Sequence, residues 1–169
     1  MIMHILAGFA AWLGGTPLTA LVAGHFWIVP ALQTIHILAV AGVLVSVLLI
    51  NLRVLGVIGG TEPVAGVLDR YLRPTGVGVL VLAVTGFLLI AGEPTRAIFR
   101  TLFWAKMLLI VIAFTLTWSH RPAFAVVGAG GSATAARKAI AVAALLAWVA
   151  VIVAGRWIAY VEAWPGAPE

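Results

Sequence analysis

His36 and Gln33 lie three positions apart within WIVPALQTIHILAVAGVLVSVLLINLRVLG, so on a helix they share one face. An imidazole can ligate a metal or a haem iron through one ring nitrogen while the other donates a hydrogen bond. The chain offers several further groups that suit such a centre: the Met107 thioether, the Lys106 amine, the Glu93 carboxylate, the guanidinium groups of Arg96 and Arg156, and the Tyr160 phenol. Measured from the nearest helix end, His36, Gln33, Glu93, Lys106, Met107, Arg156 and Tyr160 are expected at one level, in the outer third of a membrane. Ionisable groups at that depth cost several kcal/mol unless paired or able to reach water, so their gathering is the most informative feature of the sequence.

Three kinds of chemistry can use these parts. In one, His36 is an axial ligand of a b-type haem, with Met107 or Lys106 opposite and Arg156 or Arg96 neutralising the propionates. In the second, His36, Glu93 and Met107 bind a copper-like ion or a small solute, with Lys106 as a switching charge. In the third no ligand is needed, and the polar cluster is a docking surface of a scaffold or accessory subunit for a periplasmic or membrane partner. Each residue also has a simpler role: Lys106 and Arg156 can snorkel, Glu93 can pair with Arg96 or Arg156, and His36 can bond a neighbouring helix. No second histidine stands at the level of His36, and His120 is expected about two-thirds of a bilayer away. The chain has no cysteine, which removes thiolate metal sites, iron–sulfur clusters and cysteine nucleophiles. It also carries no Ser-His-Asp set on one face, no paired carboxylates and no nucleotide cradle, since GAGGSAT lacks the Gly-Lys-Ser/Thr ending. A non-catalytic role is therefore expected.

The elements that must position these groups are transmembrane helices. Of the 169 residues 64% are hydrophobic and 9% charged, far from the roughly 45–50% and 25% of soluble domains. The net charge of +5 is spread singly beside apolar runs and makes no nucleic-acid patch. Spans are expected at about residues 27–50, 75–91, 102–119 and 137–160. Pro30 to Ile50 alone covers about 30 Å, the thickness of a bilayer's hydrocarbon. Residues 1–25 form an interfacial or re-entrant hairpin: Ile2 to Leu13 is too short to cross, no Lys or Arg precedes it as in a signal peptide, and Thr16-Pro17 caps a second short helix. His4 and His25 flank this module as wet interfacial residues. Between the first two spans lies a polar loop with about two helical turns ending at Pro74, and His120-Arg121-Pro122 stops the third span. The sequence thus predicts an all-α, integral membrane four-helix bundle. Gly76, Gly78, Gly86, Gly155 and the alanines of the fourth span are its packing positions.

Arg53, Arg70, Arg73, Arg121, Arg137 and Lys138 collect on one side, which the positive-inside rule makes cytoplasmic. Trp27, Trp104 and Trp157 then mark the outer interface, and both termini are periplasmic. The segments FAAWLGGTPLTALV, WIVPALQTIHILAVAGVLVS with LRVLG, TGFLLIAGEPTR, FWAKMLL and AGRWIAY resemble a family of small bacterial inner-membrane proteins catalogued as a domain of unknown function. The resemblance covers nearly the whole chain and carries His36, Glu93, Arg96, Lys106 and Arg156 as motif residues without giving any a role. It implies a multi-pass protein of the bacterial inner membrane, and Asn51 stands where that family is expected to have an acid. More distantly the layout is similar to four-helix b-type cytochromes and to the copper-resistance membrane protein family. A homo-oligomer is compatible with so small a bundle. A reporter active only outside the cytoplasm, fused at either terminus, should be active, and the same reporter inserted after Gly60 should be silent. The opposite pattern inverts the topology.

Overall fold

The computed structural model describes residues 2–60, 62–125, 133–158 and 160, and among them there is no strand. Eight helices follow in order: α1 (Ile2–Gly14), α2 (Pro17–Gly24), α3 (Ile28–Leu55), α4 (Val64–Gly92), α5 (Pro94–Ile98), α6 (Thr101–Trp118), α7 (His120–Ala125) and α8 (Ala135–Trp157). Among the described residues four segments are long and apolar enough to cross a membrane: α3, α4, Thr101–Pro122 and α8. This is the all-α membrane bundle that the composition implies. The short helices α1 and α2 meet at 68°, as in a broken span or a re-entrant loop. Thr16 makes that corner, its hydroxyl accepting from the Thr19 N–H and donating to the Leu13 carbonyl at 2.7 Å.

α3 and α4 extend beyond the expected spans, for local reasons, whereas α6 keeps close to its expected bounds. α3 runs through Asn51 to Leu55 and stops at Gly56, which takes φ +80° while the Gly56 and Val57 amides close on the Arg53 and Leu52 carbonyls. α4 starts at Val64, so the polar loop with two turns is the first part of a continuous helix with Pro74 inside it. Proline removes one backbone bond there. Val64, Val67, Leu68 and Leu72 nevertheless recur at helical spacing and are buried against Ile50, Val54 and Ala141, and this burial keeps the segment helical. α6 ends at Trp118, and a turn at Ser119 leads into α7, so His120-Arg121-Pro122 opens a short helix rather than ending the chain's helical path. The fourth span begins at Ala135, capped by the Thr134 hydroxyl. Most of the glycine-rich loop and the tail after Tyr160 lie outside the described residues.

Packing runs α4 on α3, α3 on α8 and α8 on α6, while α4 and α6 make little direct contact and α4 meets α7 instead. The α3–α4 seam closes at Gly78, where a β-carbon would overlap the Val43 side chain. Gly76 has nothing near it, so of the expected packing glycines it is not one. Ala141 and Ala144 of α8 are fully buried, as expected. Val43, Val47, Ala113 and Trp148 form a dry layer across the middle of the bundle. At one end Asn51 and His120 are buried together, their side chains 3.3 Å apart. Asn51 also donates to the Val47 carbonyl at 2.7 Å, and the Trp148 indole to Thr117 at 3.1 Å. The hairpin sits at the other end, where Thr19 reaches the Ala91 carbonyl at 2.8 Å and Ala10 packs with Ile98 and Phe99.

Gly78→Leu should therefore destabilise the bundle by about 1–3 kcal/mol, the usual cost of overpacking, while Gly76→Leu should stay close to wild type. Detergent unfolding followed by far-UV circular dichroism measures both.

Candidate functional site

His36 lies on α3 about 12 Å from the helix start, which places it facing the second half of the antiparallel α4. Its Nδ1 is 2.7 Å from the Thr85 hydroxyl, and that hydroxyl is also 2.7 Å from the Val81 carbonyl. A carbonyl can only accept, so Thr85 spends its one proton there and must accept from His36. The imidazole is thereby held as the Nδ1–H tautomer, with a lone pair on Nε2. The imidazole lies over Gly86, where a β-carbon would be in ordinary contact with Cε1 at 3.5 Å.

Lys106 enters from α6. On an α-helix it lies within ~20° of the fully buried Ala113, whereas Met107 is rotated ~120° from it. Lys106 therefore faces the bundle and Met107 is turned aside, half-buried. The lysine stem crosses α8 at Gly155, whose β-carbon, if present, would be 3.4 Å from Nζ. Lys106 is near enough to His36 for their charges to interact. His36, Thr85, Lys106 and Gly155 thus come from all four spans and meet at one level, between the dry middle layer and the hairpin end.

The other expected site residues are placed apart from this centre. Glu93 follows Thr85 by about 12 Å along the same helix axis, and it is exposed and paired with Arg96 at 2.9 Å. The pairing expected for Glu93 and Arg96 is thus present. Arg156 is exposed, its guanidinium 5.5 Å from the centre of the Tyr160 ring. Gln33 is exposed on α3. Among the described residues no three His, Asp or Glu side chains gather as a metal set. Trp27, Trp104 and Trp157 all stand exposed at this end, 57%, 42% and 60%. His120 sits with Asn51, about 22 Å further along α3 than His36, so the two histidines occupy separate sites.

Thr85 is the residue that sequence reading passes over. Its signal is a hydroxyl inside the apolar run VLVLAVTGFLLI, next to a glycine that admits a large neighbour. At this end the described residues carry Arg96, Arg100, Lys106 and Arg156 against the single acid Glu93. Arg100 donates to the Ile158 carbonyl and so ties the start of α6 to the end of α8. The site is a lone imidazole acceptor beside a partly buried ammonium, with a basic rim. Thr85→Val keeps the shape and removes the acceptor for Nδ1–H. In ¹⁵N-histidine spectra the wild-type His36 should show the Nδ1–H tautomer, and the variant should shift toward the Nε2–H form.

The family model described as a family of unknown function, DUF6644, matches residues 17–161. No curated protein and no solved structure matches the chain. The matched region takes in α2, all four spans and every residue of the His36 centre, and the chain belongs to this family of unknown function.

Proposed function

We propose that this is a non-catalytic inner-membrane protein whose outward-facing site, centred on His36, holds a b-type haem for electron transfer. The observation that carries this reading is the orientation of His36: Thr85 takes its Nδ1–H and leaves the Nε2 lone pair, the atom that ligates iron, at a junction of all four spans. A hydrogen bond to the far nitrogen of this kind sets the tautomer and raises the basicity of a ligating histidine. His36 would hold the iron, and Lys106, with Arg100 and Arg156 at the rim, would face the propionates. Gly86 and Gly155 put no side chain at this level. Bound haem would supply one-electron redox chemistry.

The placement of the donors disfavours the copper-like reading. Imidazole, thioether and carboxylate can all bind copper, but Met107 is turned aside and Glu93 is engaged by Arg96 further along α4. The hairpin supports a scaffold as the second reading, because Met3, Ile5, Phe9 and Trp12 of α1 are exposed.

The full chain purified in mild detergent from haem-replete cells should show a stoichiometric Soret band and dithionite-reduced α and β bands. His36→Ala should abolish them, and Lys106→Ala should leave a weakened or shifted spectrum. A colourless wild-type preparation, also after haem titration, rejects the reading and moves the scaffold forward.

A further inference from the structure

At the end opposite His36, Arg73 of α4 lines two depressions of the surface at once. One is a cleft between α4 and the α6–α7 corner, formed by Asp69, Leu72, Arg73, Trp118 and Arg121. The other is an apolar groove between α3 and α4 that starts at Arg73 and Pro74 and runs past Ser46, Gly42 and Ala39 to Val81. Measured along α4, the groove descends about 12 Å from Arg73 into the hydrocarbon layer. The polar cleft therefore lies at headgroup depth and the groove at acyl-chain depth, and they are continuous through one arginine.

The charges at this end are not equivalent. Arg53 donates to the carbonyl of Glu62, at 2.8 Å from Nε, and to that of Ile58. Arg70 pairs with Glu62 at 2.8 Å, and Arg137 donates to the Ser119 carbonyl at 3.0 Å. Arg73 is exposed with no hydrogen bond or ion pair to a described residue, and Arg121 lies only over the Trp118 ring, 5.9 Å from its centre. Two guanidinium groups against the one carboxylate of Asp69 leave the cleft with a positive charge.

We infer that this end binds an anionic phospholipid with a hydroxyl-bearing headgroup, its phosphate between Arg73 and Arg121 and one acyl chain in the α3–α4 groove. A guanidinium pair suits the phosphodiester. Asp69 has the acceptors for headgroup hydroxyls, and Trp118 has the amphipathic ring that belongs at this depth. Small residues shape the groove. Gly42 is exposed, and a β-carbon there would meet nothing within 4 Å, so that position opens onto the space the chain occupies.

Native mass spectrometry of the delipidated full chain, titrated separately with phosphatidylglycerol, phosphatidylethanolamine and phosphatidylcholine, tests this. Phosphatidylglycerol should bind best. Arg73→Ala with Arg121→Ala should weaken it by about fivefold per residue, the value of a basic side chain at a lipid surface. Gly42→Leu should weaken all three lipids by filling the groove, with unchanged lipid-free melting. Lys138→Ala removes a charge from the same end outside the cleft and should keep the wild-type preference. Equal binding of the three lipids, an equal loss in Lys138→Ala, or full binding by Gly42→Leu would each overturn the inference.

Discussion

Within a hydrocarbon layer a polar side chain has no water to turn to, and the Thr85 hydroxyl and the His36 imidazole answer that constraint together. Their 2.7 Å contact joins the two most extensively packed helices, α3 and α4, at the level where α6 and α8 also arrive. It orients the imidazole and decides which nitrogen keeps a lone pair. The rest of the site is arranged around that choice. Lys106 extends over Gly155, and the basic residues beyond it stand at the rim.

The bundle is unlike at its two ends. At the end opposite the hairpin, Asn51 and His120 are fully buried, α7 meets α4, and Ile50, Val54, Leu68 and Leu72 pack tightly. Val43, Val47, Ala113 and Trp148 then form a layer with no charged group in it. Beyond this layer lie His36, Thr85 and Lys106, and then the apolar contact of the hairpin with Ile98 and Phe99. The apolar middle layer separates the polar groups of the two ends.

The charge distribution has the same logic. At the end opposite the hairpin, Arg53, Arg70 and Arg137 are occupied by main-chain carbonyls or by Glu62 and brace the helix connections, whereas Arg73 and Arg121 face the surface cleft. Lys106 is different, since its amine is partly buried inside the bundle and lies against α8 at Gly155.

Hydropathy, caps and breakers are local properties, and from them the chain's sequence by itself determined the membrane class, the four crossing segments and the Thr16-Pro17 corner of the hairpin. The family follows from the same apolar segments and their flanking motifs. Only the tertiary structure decided which polar groups meet, because a helical sequence states the face on which a residue lies but not which helix lies against it. Thr85 rather than Gln33 partners His36, Asn51 finds His120 across the bundle, and Lys106 rather than Met107 faces inward. Gly78 became a packing contact and Gly76 did not, although they are two residues apart, because the α3–α4 crossing places Val43 over one of them. Pro74 reads locally as a helix boundary, yet burial of the residues before it against α3 and α8 carries the helix through. Interhelical register and rotation come from packing summed over whole helices, and no single stretch of sequence contains them.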